Sequence, residues 1–79
     1  MKTTTTEYNL WIMNEAEKLG KNLKRIRTKK GISQGDIVKI LGMPKSFVSS
    51  IENGKTNPTL STITKIAKAI EVSVGELMK

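Results

Sequence analysis

Lys45, Ser46, Ser49, Ser50 and Asn53 recur at helical spacing on one side of a short segment. All are short or flexible polar groups suited to the donors and acceptors of base edges in a major groove. Directly after them Gly54 opens the run Lys55-Thr56-Asn57, whose ammonium, hydroxyl and amide groups suit phosphate oxygens. This is the chemistry of non-covalent recognition. Covalent chemistry has little to draw on, because the chain contains no histidine and no cysteine. The commonest general base, the thiolate and the commonest metal ligand are thereby missing. Carboxylates are few and no glycine-rich loop cradles a phosphate, so no nucleophile–base pair can be assembled. The expectation is a protein that is not an enzyme, with no cofactor and no metal.

The elements that must position these groups read as helices throughout. Residues 1–6 form a threonine-rich tail, and Thr4 with Glu7 has the spacing of a capping box. From Glu7 onward only Gly20 interrupts a helical pattern that lasts to Lys30. One glycine costs about 1 kcal/mol against alanine, which does not decide whether it divides the helix. Leu19, Leu23 and Ile26 give a helical apolar stripe. Gly31 predicts a left-handed helix end, Ser33 an N-cap, and Gln34 to Leu41 a short second helix. Gly42 and Met43 make a turn, and Pro44 suits the first position of a third helix ending near Glu52 or Asn53. Gly54 stops that helix, and Asn57-Pro58 marks a loop. Thr59 or Ser61 caps a fourth helix with the stripe Leu60, Ile63, Ile66, Ala67 and Ile70. Ser73 with Glu76 repeats the capping-box pattern before a last helix, Val74 to Lys79.

Two short helices joined by a glycine-containing turn make a helix-turn-helix. Its packing demands are met in order: Ile37 and Leu41 point inward from the first helix, Val48 and Ile51 from the second, and Met43 fills the corner. The charge balance agrees, with 14 Lys and Arg against 7 Asp and Glu, a formal charge of +7. Such an excess favours a polyanionic partner. At 79 residues a single domain is expected. The apolar run Leu10 to Met13 is too short for a signal peptide core or a membrane span, so a cytoplasmic protein without membrane contact is expected.

The runs LKRIRTKKGISQ at 23–34, LGMPKSFVSSIENGKTNP at 41–58 and LSTITKIAKAIEVSVGEL at 60–77 resemble the Cro/C1-type (XRE-like) family of helix-turn-helix regulators. The likeness covers Leu19 to Lys79, leaving residues 1–18 as a tail and helical extension. It implies an all-α, five-helix, lambda-repressor-like DNA-binding domain at 19–79 with that extension added. It further implies a transcriptional regulator, a repressor, binding a near-palindromic operator as a homodimer through a recognition helix at about 44–53. Carried over by position, Lys45, Ser46, Ser49 and Ser50 are the base-contacting residues. Gln34, Asn53, Lys55 and Thr56 are the phosphate-contacting ones, with backbone N–H groups helping, and Gln34 also braces the recognition helix. Arg27 and Glu52 form a structural ion pair, and Val72, Val74, Leu77 and Met78 are candidates for the dimer interface.

The chain departs from the family pattern at four positions. Val38 stands where alanine is usual, Ile40 where a polar residue is usual, and Glu71 where glycine usually follows the fourth helix. Phe47 replaces a small polar residue on the recognition helix; it either meets a thymine methyl or packs against protein. Two further features stay open. The stretch from Lys18 to Lys30 holds seven basic residues and no acid, either a solvated face or a supply of phosphate contacts. Tyr8, Leu10, Trp11 and Met13 in the extension either pack back on the core or build a subunit interface. An alternative function, the antitoxin of a toxin–antitoxin pair, would use that extension to bind its toxin while still repressing its own operon.

Overall fold

A computed structural model describes the backbone of residues 5–79 and the side chains from Glu15 onward. The helices are α1 (Thr5–Lys29), α2 (Gln34–Leu41), α3 (Lys45–Glu52), α4 (Leu60–Ala69) and α5 (Val74–Met78), and no strand occurs among the described residues. Gly20 does not divide α1. The extension and the first domain helix are one continuous rod, so the 18/19 boundary falls inside a helix. The proposed Thr4–Glu7 cap and the aromatic and apolar side chains of Tyr8 to Met13 lie outside the described residues and side chains.

Helix ends are set by local chemistry. Ser33 caps α2 through a complete capping box: its hydroxyl accepts from the Asp36 N–H, and the Asp36 carboxylate accepts from the Ser33 N–H. That backbone N–H, with the Ser33 hydroxyl second, holds the Asp36 carboxyl below the ordinary carboxylate range. The carboxylate arm of the box is therefore in place at neutral pH and weakens as pH falls through the depressed value. Pro44 is the N-cap of α3, in extended backbone, rather than its first helical residue. Its carbonyl accepts from Phe47 and Val48, and it offers no side-chain cap. Thr59 and Ser73 cap α4 and α5 by accepting from Thr62 and Glu76. The second arm of a box at Ser73 is absent from the bonds formed.

α1 ends in a Schellman turn at Gly31 (φ +72°), where Ile32 N–H reaches back to the Arg27 carbonyl at 2.9 Å. α4 ends the same way, with Val72 N–H on the Ala67 carbonyl, but the left-handed residue is Glu71 at φ +59°. A side chain there carries a steric cost that glycine avoids. Glu71→Gly is expected to stabilise the fold by about 0.5–1 kcal/mol, read as a raised urea midpoint at constant m. An unchanged or lowered midpoint would contradict this account of the turn.

α1 packs on α3 and α5, α2 on α3 and α4, and α4 on α5. The core between them is Leu19, Leu23, Ile26, Ile37, Val48, Ile51, Ile63, Ile66, Ala67, Ile70 and Leu77. Val38, Leu41 and Met43 pack half-buried around it, so the extra volume of Val38 is taken up at the edge. Leu60 is a correction to the α4 stripe. It is 70% exposed, because it begins the helix a turn before the first buried position, Ile63. Two polar ties fix the last elements to α1. Asn22 Nδ2 donates to the Leu77 carbonyl at 2.7 Å, and Lys30 Nζ caps the end of α4 at the Ile70 carbonyl, 2.8 Å.

Candidate nucleic-acid interface

α3 is two turns long, and its two sides differ sharply. Val48 and Ile51 are fully buried. Lys45 and Ser46 are exposed, and Ser49 and Ser50 are half-exposed. Helical periodicity places these four polar residues together, away from the core. Phe47 is also on α3, and it packs half-buried against the core cluster. Ile40, at the far end of α2, is 60% exposed.

The C-terminal end of α3 is held in three ways. Glu52 is nearly buried at 8% exposure, and its carboxylate is fully engaged. Arg27 Nε donates to Oε2 at 2.6 Å and Nη2 to Oε1 at 3.0 Å, while Gln34 Nε2 donates to Oε1 at 2.9 Å. The third arm of Arg27, Nη1, donates to the Ile32 carbonyl at 2.9 Å, so one guanidinium ties α1, the α1–α2 turn and α3 together. The bidentate fork gives direction as well as charge. No buried side-chain polar atom among the described residues lacks a partner.

The second hold is steric. Gly20 is buried on α1 where the α3 terminus crosses it, and an added Cβ would meet the Ile51 carbonyl oxygen and lie 2.6 Å from that of Glu52. Gly54, at φ +70°, is the third: it turns the chain against α1 so closely that a Cβ would lie 3.0 Å from Glu17 Cα. Sequence reasoning missed the role of Gly20. The signal was its phase, four residues after Ala16 and three before Leu23, on the buried side of α1.

The loop residues stand as follows. Asn53 and Lys55 are exposed and Thr56 is half-buried. The backbone N–H groups of Asn53 and Lys55 are a correction to the expectation of main-chain phosphate contacts. Asn53, Gly54 and Lys55 donate to the carbonyls of Ser49, Ile51 and Ser50 at the end of α3, so the side chains of Asn53 and Lys55 are what remain to reach outward. Asn53 Nδ2 also lies 3.4 Å from Ser49 Oγ. Gln34 is half-buried and spends one amide N–H on Glu52, leaving the second for any outside acceptor. Among the dimer candidates, Leu77 is corrected: it is fully buried in the chain's own core and presents nothing to a partner. Val72, Val74 and Met78 are half-buried beside it. No metal-ligating cluster occurs among the described residues, and none of their helices is long and apolar enough to cross a membrane.

Residues 23–77 match the family described as "Helix-turn-helix" (HTH_3). The uncharacterized HTH-type transcriptional regulator y4dJ of Sinorhizobium fredii is 35% identical over 66 residues, covering 84% of this chain and 86% of that protein. The crystal structure of the restriction-modification controller protein C.AhdI from Aeromonas hydrophila superimposes with a TM-score of 0.76 at 34% identity, over 81% of this chain and 97% of the other. The controller protein C.Esp1396I, solved as a tetramer in complex with its natural 35 base-pair operator, is similar at a TM-score of 0.68 and 28% identity, over 81% and 95% of the two chains. These relatives are regulators rather than enzymes, and the toxin partner set out above finds no support among them.

Proposed function

Because the chain belongs to the Cro/C1-type helix-turn-helix family of DNA-binding transcriptional regulators, we propose that it represses transcription by holding a near-palindromic operator as a homodimer. The operator is double-stranded DNA in the cytoplasm. In this reading residues 19–79 are the DNA-binding domain, residues 1–18 are an extension of its first helix, and α3 lies in the major groove. One observation carries the reading: α3 turns its apolar side into the core while Lys45, Ser46, Ser49 and Ser50 stay accessible on the other, and its far end is clamped by Arg27. A rod held this rigidly loses little freedom on meeting DNA.

Lys45, Ser46, Ser49 and Ser50 read bases, and Asn53, Lys55, Thr56 and the free amide hydrogen of Gln34 hold phosphates. The operator complex of C.Esp1396I supports binding of more than one copy. Val72, Val74 and Met78, partly accessible around α5, supply an apolar contact for a two-fold dimer. Its half-sites should then lie about one helical turn, ~34 Å, apart.

Selection from random duplex DNA tests this. A palindrome should emerge, and Lys45→Ala or Ser50→Ala should each change the preferred bases at one position of each half-site, by about 1–3 kcal/mol of discrimination. Lys55→Ala should weaken all sequences alike and flatten the salt dependence by about one unit. An unaltered site in both recognition-helix variants would refute the base-contact assignment.

A further inference from the structure

The basic stretch of α1 is not used by the interface above. Lys21, Lys24, Arg25, Thr28 and Lys29 follow the spacing i, i+3, i+4, i+7 and i+8, which places them on one face of α1. All five are exposed. With Glu52 they line one open groove of about 610 Å³ on the protein surface. The opposite face of the same helix carries the buried Leu19, Leu23 and Ile26. The four cations of the groove take part in no ion pair among the described residues. Glu52 does not balance them, because Arg27 and Gln34 already occupy its carboxylate.

The fold gives no reason for this stripe. Like charges at i, i+3 and i, i+4, here Lys21 with Lys24 and Arg25, and Arg25 with Lys29, destabilise a helix. Lys29, in the last turn, gains from the helix dipole, but that effect does not extend back to Lys21 and Lys24. A row of uncompensated cations in a groove does have a use if a polyanion fills it. Glu52, the last residue of α3, is part of the groove's lining, and Asn53 and Lys55 follow it closely in the chain. From Lys21 to Lys29 it runs about 12 Å along the helix axis, long enough to follow successive phosphates of one strand.

We propose that the α1 groove is a second contact surface for DNA, seating phosphates of the strand beside the bases read by α3. The inference rests on the DNA-binding reading above and adds a surface to it. Its contacts are to phosphates only, so it contributes affinity and salt dependence without sequence preference.

The test compares two triple variants of the full chain on a duplex selected by the parent protein. Lys21→Gln, Lys24→Gln and Arg25→Gln together empty the groove, and glutamine keeps the helix propensity of the residues it replaces. Lys39→Gln, Lys65→Gln and Lys68→Gln remove the same net charge from exposed positions on α2 and α4. The groove variant should bind at least tenfold more weakly at ~0.1 M salt and lose about 2–3 units of the salt slope, while selecting the parent's sequence. The control should lose less than one unit. Equal losses in both variants, or the parent slope in the groove variant, overturn the proposal; the latter is also the result if an acidic protein fills the groove instead. The two readings fail separately. Failure of α3 as the base reader leaves the selected site unchanged in Lys45→Ala and Ser50→Ala, whatever the groove variant does to the slope.

Discussion

Glu52→Ala should cost about 3–5 kcal/mol of folding stability, the range for breaking a buried ion pair by removing one partner. For a chain of 79 residues, total stability is expected to be about 4–12 kcal/mol, so the clamp accounts for about a quarter of it or more. The loss has identifiable parts. Arg27, with its side chain only 12% exposed, would keep the Ile32 carbonyl as its one partner. Gln34 Nε2 would lose the oxygen it now donates to. Arg27→Lys should not restore the parent, because a single ammonium cannot supply the fork that grips Glu52 and Ile32 together. The Lys18–Glu15 pair, at 3.8 Å and well exposed, provides the contrast: Glu15→Gln should change stability by no more than about 0.5 kcal/mol. Urea unfolding of the three variants measures all of this. A Glu52→Ala loss below about 1 kcal/mol would show that the clamp is not what holds α3.

Gly20→Ala should be destabilising by about 1–3 kcal/mol, against the sign that helix propensity alone predicts. In an exposed helix interior the same change gains about 1 kcal/mol. Here the new methyl group meets two backbone carbonyl oxygens at the end of α3, Ile51 and Glu52, and neither can swing aside as a side chain would. Either α3 moves off α1 or α1 bends, and both disturb the angle at which α3 is presented. Gly35→Ala tests the opposite case. Its Cβ would find only Ser33 Oγ at 3.5 Å, and α2 should gain up to ~1 kcal/mol. If the two substitutions shift the urea midpoint in the same direction, the close approach of α1 and α3 is not as described.

These two positions also mark where sequence reading succeeds and where it stops. The bounds of α2 follow from Ser33, Leu41 and Gly42, because a cap, an apolar stripe and a left-handed glycine are local signals. The buried side of α3 follows from Val48 and Ile51 by period alone. What escaped was set by distant parts of the chain. Nothing near Gly20 announces that a carbonyl terminus 31 residues later will press on it. The tie between Lys30 and the Ile70 carbonyl spans 40 residues and has no sequence signature. Leu77 was placed at a surface from the family's dimer pattern, whereas its burial depends on how α5 lies between α1 and α4. The backbone N–H groups of Asn53, Gly54 and Lys55 look available in a sequence, and only the turn at Gly54 shows that α3's own carbonyls take them.

The clamp and the presented face are physically one arrangement. α3 is only eight residues long, too short to persist as a helix in water by itself. Its outward side chains hold a fixed geometry because Val48 and Ile51 are buried and Glu52 is gripped. Residues that never touch DNA should therefore weaken binding when changed, through loss of a preformed surface rather than loss of a contact.

The most direct test is a backbone amide shift map during titration with the selected duplex at low ionic strength. The account predicts the largest changes at Lys45 to Thr56 and around Gln34, with smaller ones along Lys21 to Lys29 and little change in α4. No shifts on adding duplex, or shifts confined to α4 and α5 while α3 stays silent, would contradict it.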